Sequence, residues 1–257
     1  MKRFVPLLII IVLLVTACSS NKEDDGKKEN QKSNELNFKN ALEKDGGISF
    51  VLSDNKGEIT EDSLVQSIVE RKDGKEIVYK SSFIGFEGIP LKNFKGKSDE
   101  EIIKAAKKND KSIMEKEIKV YQDKEERRSE ENGDKKYNQL LKKSAEELKY
   151  SEPSSRELNY KAIKSDLDGE KGQAFLTINF KPRTIEQVVK EEDDYPEYKI
   201  LDNQDEVIYV KNPTKSLDIG KDKYIGFEGE SNDDYYAVVT KAPKKTEGVT
   251  SGLKEVE

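Results

Sequence analysis

The chain has 257 residues, with 46 basic against 52 acidic side chains, a formal charge of −6, 38% charged and 33% hydrophobic residues. It contains no histidine, no tryptophan and a single cysteine. These absences exclude Ser-His-Asp and Cys-His nucleophile systems, histidine-ligated zinc, copper or haem, and internal disulfides.

The first element is an N-terminal segment in three parts. Lys2 and Arg3 supply positive charge, Phe4 to Val15 is apolar apart from Pro6, and Val15-Thr16-Ala17-Cys18 closes the run with small residues before the cysteine. The apolar stretch is about 14 residues, short of the ~20 that a helix needs to cross a bilayer. The Val15-Thr16-Ala17-Cys18 junction resembles the lipobox of bacterial lipoproteins, where Leu most often holds the place of Val15 and Val is an accepted alternative. The resemblance covers the first 20 or so residues. It implies that 1–17 is a signal peptide, that Cys18 receives a diacylglycerol and becomes the new N-terminus, and that the protein sits lipid-anchored on the extracytoplasmic face of the cell membrane. A Gram-positive surface is favoured by the abundant Lys, Glu, Asn and Asp; in a Gram-negative cell Ser19 after the cysteine would point to the outer membrane. Apart from that covalent acyl lipid on Cys18, no cofactor is expected.

Removing Lys2 and Arg3 with the signal moves the formal charge from −6 to −8. Charge and location together argue against a nucleic-acid partner. Residues 18–36 are polar and charged up to Leu36 and read as a disordered tether with a random-coil reach of roughly 20–25 Å.

From 37 to 121 the pattern predicts a first α+β stretch. Phe38, Ala41 and Leu42 suit one side of a short helix before Gly46-Gly47, and Ile48 to Leu52 is β-rich. Leu64–Glu70 and Glu76–Lys80 flank Lys72-Asp73-Gly74, a hairpin signal because Asp-Gly tolerates positive φ. Phe83–Phe86 reads as a strand, and Ser98 with Glu101 forms a capping box ahead of Ile102, Ile103, Ala105 and Ala106. Glu117–Tyr121 leans to strand. The charged connection 122–155 begins as a solvated helix or loop through Lys136, and then Tyr137, Leu140, Leu141, Ala145 and Leu148 keep helical spacing.

The stretch 156–240 reads as strand-rich: Leu158–Ile163, Ala174–Phe180, Tyr198–Leu201, Val207–Val210, Tyr224–Phe227 and Tyr235–Thr240, with a short helix over Thr184–Lys190. Asp166-Leu-Asp168-Gly169 misses the calcium-loop register, which would put Lys164 and Phe175 at ligand positions, and reads as a hairpin loop. Residues 241–257 read as a flexible tail. Hairpins interrupted by helices, without βαβ alternation, predict an α+β fold with mainly antiparallel sheet.

Ile84-Gly85-Phe86-Glu87-Gly88 recurs as Ile225-Gly226-Phe227-Glu228-Gly229, which suggests two related halves. The motif is either a repeated strand-to-turn device or a way to bring Glu87 and Glu228 together as paired carboxylates, the requirement of a glycan hydrolase with ~5–9.5 Å between the two. Glu191, Glu192, Asp193 and Asp194 beside Tyr195 and Tyr198, and Asp233, Asp234 beside Tyr235 and Tyr236, offer an acidic, aromatic-edged surface for a basic peptide, an amine or a divalent cation. Their plainer role is a solvated loop followed by strands whose tyrosines pack on the core. The reading that results is a lipid-anchored binding or interaction module of the envelope, more plausibly non-enzymatic. A carboxylate hydrolase of wall material and an accessory subunit of an envelope machine are the alternatives.

Overall fold

The computed structural model describes residues 34–54, 57–82, 88–130, 133–165, 173–189, 197–202, 207–231 and 234–252. The opening elements are β1 (Glu35–Asn37), α1 (Phe38–Glu43), β2 (Ile48–Asp54), β3 (Leu64–Lys72), β4 (Lys75–Lys80) and β5 (Ile89–Pro90), followed by a 3-10 turn over Leu91–Phe94. Two helices come next, α2 (Asp99–Glu130) and α3 (Lys135–Glu147). The remainder is strand: β6 (Arg156–Glu157), β7 (Tyr160–Ser165), β8 (Gln173–Ile178), β9 (Thr184–Val188), β10 (Glu197–Leu201), β11 (Ile208–Val210), β12 (Asn212–Pro213), β13 (Leu217–Ile219), β14 (Asp222–Ser231), β15 (Asp234–Ala242) and β16 (Gly248–Thr250). The fold is α+β with mostly antiparallel sheet.

A large sheet in the order β12-β14-β15-β2-β3-β4-β6 forms the spine, with β13 on β14 and β5 on β3. Strands from 37–121 and from 156–240 therefore share one sheet: β15 pairs with β2, and β6 lies beyond β4 at the far edge. The two-residue period decides its faces. Ile48, Phe50 and Leu52 of β2 point one way, where the Leu91–Phe94 turn and Ile102 and Ala106 of α2 cover them. Val51, Val69, Val78 and Val238 point the other way, beneath Phe38 and Leu42 of α1 and a small sheet β11-β8-β7 that supplies Leu176, Ile178, Ile208 and Val210. A third core joins Met114 and Ile118 of α2 to Leu141 and Ala145 of α3 and to Ile185 and Tyr198 of the β9–β10 hairpin.

Several local signals act as their chemistry predicts. Asp73 (φ 55°) and Gly74 (φ 72°) turn β3 into β4, with Lys72 opposite Lys75. The Ser98–Glu101 box closes reciprocally: Ser98 N donates to Glu101 Oε2 at 2.7 Å and Glu101 N donates to Ser98 Oγ at 3.2 Å. Asn37 caps α1 by accepting from Asn40 N at 3.0 Å.

Four expectations need correction. Glu117–Tyr121 is not strand: one helix runs unbroken from Asp99 to Glu130. Its inward stripe carries Ile102, Ala106, Asp110, Ile113, Met114, Glu117, Ile118 and Glu125, so three acids occupy buried positions and disguise the helical period. Thr184–Val188 is strand rather than helix, since β-branched Thr184, Ile185 and Val188 pair with β10 and Glu186 faces Lys199 across the ladder. The C-terminal stretch is not loose through Thr250. Lys241 and Ala242 end β15, and β16 runs parallel to β1, with Leu36 opposite Val249. Glu35 and Leu36, placed in the tether by sequence, belong to that pair.

Candidate functional site

Buried charge is the dominant chemical feature. β4 exposes one edge beyond its short pairing with β6, and α2 crosses that edge. Asp110 on α2 accepts from the edge amide of Lys80 at 2.9 Å through Oδ1. Its Oδ2 accepts from Arg183 Nη2 at 2.8 Å and from the Tyr150 hydroxyl at 3.0 Å. Lys80 Nζ pairs with Glu117, about two helical turns beyond Asp110, and donates to the Arg183 carbonyl at 3.1 Å. Arg183 Nη1 reaches Ser151 O at 2.7 Å. Burial pushes the Asp110 carboxyl up despite Arg183 and its hydrogen bonds, and pushes the Tyr150 hydroxyl up to about 12. One carboxylate thus joins helix, sheet edge and the segment entering β9.

A second cluster lies further along β4, on the face that also carries Lys80. Arg156 Nε donates to Glu76 Oε1 at 2.9 Å, and Arg156 Nη2 to the carbonyls of Asn179 and Lys181. Desolvation outweighs the attraction of Arg156 and pushes Glu76 up to about 7. Cross-strand from Glu76, Arg71 donates through Nη1 and Nη2 to Ser49 Oγ at 3.1 Å, and burial pulls its guanidinium down to about 10. A fourth buried acid, Glu125, accepts from the Tyr198 hydroxyl at 2.6 Å. Every buried acid bonds to a cation, an amide or a phenol of this chain, with Glu76 Oε2 and Glu125 Oε2 left without a hydrogen-bond partner among the described residues, and each cluster ties two or more elements together.

A cleft of about 550 Å³ opens where β1 and α1 meet the end of the main sheet and the first turn of α2. Ile48, Ile102, Tyr224 and Ala242 give it an apolar lining, while Glu35, Lys44, Asp99 and Lys241 contribute charges of both signs. Lys241 bridges Asp99 at 3.2 Å and Asp222 at 3.5 Å across one side. The arrangement suits a partner segment that presents an apolar side chain flanked by polar groups.

Of the sequence candidates, Cys18, Glu87, Glu191, Glu192, Asp193, Asp194 and Asp233 lie outside the described residues, as do the Phe83–Phe86 strand and the Asp166–Gly172 loop. Glu228 sits half-buried in β14 opposite Ala237, and Asp234 opens β15 opposite Ser231. Tyr235 packs on the core beneath α2, one diagonal step from Glu228 on the same sheet face. The second glycine motif is central strand, not turn. A Cβ on Gly226 would stand 1.9 Å from Val238 O, and one on Gly229 2.6 Å from Tyr209 O, so both glycines admit a neighbouring backbone. The strands preceding the two motif copies occur in different sheets, β4 in the main sheet and β11 against β8. Among the described residues, no group of three acidic, histidine or cysteine side chains is placed to hold a metal ion, and no helix is long and apolar enough to cross a membrane.

Asp110, Glu117, Lys80, Glu76 and Arg71 escaped the sequence reading. Their signal is positional: Asp110 and Glu117 fall on the α2 stripe, and Glu76, Val78 and Lys80 alternate to one face of β4. No protein-family model, curated protein or solved structure matches the chain.

Proposed function

We propose that the chain is a lipid-anchored protein of the extracytoplasmic face of the cell membrane, and that its folded part is a non-enzymatic binding module of the envelope. The observation that carries this reading is Cys18, the only cysteine in the sequence, placed directly after Val15-Thr16-Ala17 and a positively flanked apolar run too short to span. The diacylglycerol would attach through the Cys18 thiol, and two acyl chains suffice for stable anchoring.

The binding reading is supported by two features of the folded part. Each of its buried acids makes an internal ion pair or hydrogen bond, although Glu76 Oε2 and Glu125 Oε2 have no hydrogen-bond partner among the described residues. The cleft beside α1 combines an apolar lining with mixed charge, the character of a protein–peptide contact rather than of a reaction centre.

Metabolic labelling with a palmitate analogue tests the anchor. The native chain should carry label and stay with membranes, and Cys18→Ala should carry none. An unlabelled native chain would overturn the anchored reading. For the module, Asn40→Arg places a bulky charge on the exposed rim of the cleft. A partner recovered stoichiometrically with the native chain from detergent-solubilised membranes should be lost with this variant, and equal recovery would rule the cleft out.

A further inference from the structure

The exposed side of α2 carries Lys104, Lys107, Lys108 and Lys111, the i, i+3, i+4, i+7 spacing that lines residues along one helical face. All four are exposed. Among the described residues Lys104, Lys107 and Lys108 form no ion pair, and Lys111 reaches only Glu115, at 3.9 Å. Elsewhere on this acidic chain Lys39, Lys75, Lys92, Lys119, Lys142 and Lys241 each have a carboxylate within reach. Of the three acids in the first turn of α2, Asp99 pairs with Lys241 and Glu101 accepts from the Ser98 amide, which leaves Glu100 as the carboxylate one turn before Lys104.

Two further features give the stripe a direction. Lys107, Lys108 and Lys111 rim a groove of about 340 Å³ with Tyr79, Tyr150 and Pro153, beside a single carboxylate, Glu152. Lys111 lies over the Tyr150 ring at 5.9 Å, which fixes one end of the cationic row against an aromatic surface. The stripe also begins close to where the chain enters the fold: Asp99 and Ile102 line the same cleft as Glu35, Leu36 and Asn37. At 1.5 Å per residue, Lys104 is about 8 Å and Lys111 about 18 Å along the helix from Asp99, within the roughly 20–25 Å reach of the preceding tether.

We propose that this lysine face of α2 rests on the anionic phospholipid headgroups of the bilayer that holds the lipid anchor. The folded body is then oriented on the membrane instead of swinging freely on its tether. The proposal rests on the anchored reading above and adds the face by which the protein meets the membrane. The attraction is local. The chain as a whole is negative and is repelled by an anionic surface, but headgroup potentials decay within about 8 Å at physiological salt, so the groups that count are those in the contacting row.

The test uses the chain from residue 19 onward, which lacks Cys18 and retains the single compact unit from Asn34 with its three cores. Binding is measured by co-sedimentation with vesicles of phosphatidylcholine alone and of phosphatidylcholine mixed with phosphatidylglycerol, at low and high salt. The expected result is partitioning onto the mixed vesicles only, weakened by salt. Each of K104Q, K107Q and K108Q should lower the partition coefficient about 5-fold, and the triple variant about 100-fold. A second triple, K215Q/K244Q/K245Q, removes the same net charge from exposed positions outside the lysine row of α2 and should bind as the native chain does. Circular dichroism checks that each variant is folded.

Absence of binding to the mixed vesicles overturns the proposal, as does equal loss in the two triples, which would make net charge the cause. Release by inorganic phosphate at constant ionic strength would also overturn it and assign the row to a free phosphate ligand. Because this chain has no cysteine, its failure to bind leaves the palmitate result standing, and a failed palmitate experiment leaves the vesicle result standing.

Discussion

Asp110→Asn is the most searching perturbation of this fold. The asparagine keeps the shape and can still accept from the Lys80 amide, but its NH₂ group must then face Arg183 Nη2 and the Tyr150 hydroxyl, two groups that donate to Asp110 Oδ2 at 2.8 and 3.0 Å. Arg183, with its side chain only 4% exposed, would lose its carboxylate partner and remain a buried charge. Removing one member of a buried pair typically costs about 3–5 kcal/mol. The loss should lie at the lower end, about 3 kcal/mol, because the burial that raises the Asp110 pKa shows the charged carboxylate to be expensive before any substitution. Arg183→Met alone should cost a similar amount by stranding Asp110. The double variant should cost clearly less than the sum, with a coupling of about 1–3 kcal/mol, since neither charge is then left behind. Urea unfolding followed by tyrosine fluorescence and far-ultraviolet circular dichroism measures all three. A single-variant loss below about 1 kcal/mol, or strict additivity, would refute the view that this pair holds α2 and the β9 approach to the sheet edge.

Three other outcomes follow from the same structure. Glu76 has a folded pKa of about 7, raised from 4.5, so its contribution to stability is complete below pH 4.5 and is lost as pH rises toward 7. Glu76→Gln should flatten that slope, a difference of up to about 3 kcal/mol across the window, and an unchanged pH profile would contradict the assignment. Gly226→Ala should be severely destabilising, by at least about 3 kcal/mol, because the new methyl meets the Val238 carbonyl in the paired strand; a Tm within a few degrees of the native value would refute the close approach. Replacing Glu191, Glu192, Asp193 and Asp194 by their amides should weaken retention on a basic-peptide resin if the acidic stretch is a binding surface, and unchanged retention would remove that role.

What the sequence discloses here depends on range. The Asp73-Gly74 hairpin, the Ser98–Glu101 box, the Asn37 cap and the α3 stripe are written in four to fourteen consecutive residues, and each is where its chemistry puts it. The lower half of α2 was hidden because Asp110 and Glu117 look like solvent-facing residues until Lys80 and Arg183, distant in sequence, arrive to pair with them. Thr184–Val188 shows the same limit. Its identity as strand depends on Glu197–Leu201, and a five-residue window before an acidic run carries too little period to separate helix from strand. Strand order is the least local property of all. Nothing near Tyr235 or Phe50 announces that β15 will lie against β2. Apart from Glu87 and Glu228 of the repeated motif, the candidate carboxylates lie in runs of acid on the chain, whereas the acids that organise the core are solitary ones at core-facing positions.

The parallel pairing of Glu35–Asn37 with Gly248–Thr250 joins the first strand of the fold to its last, and β15 closes the centre of the main sheet only slightly earlier in the chain. A chain that emerges N-terminus first, from a ribosome or through a translocation channel, holds β2, β3 and β4 as an incomplete sheet whose β2 edge stays open until residues 234–242 appear. Such long-range closure is slow relative to local hairpins and helices. The timing of release is thereby built into the topology: the main sheet cannot be completed until β15 has emerged.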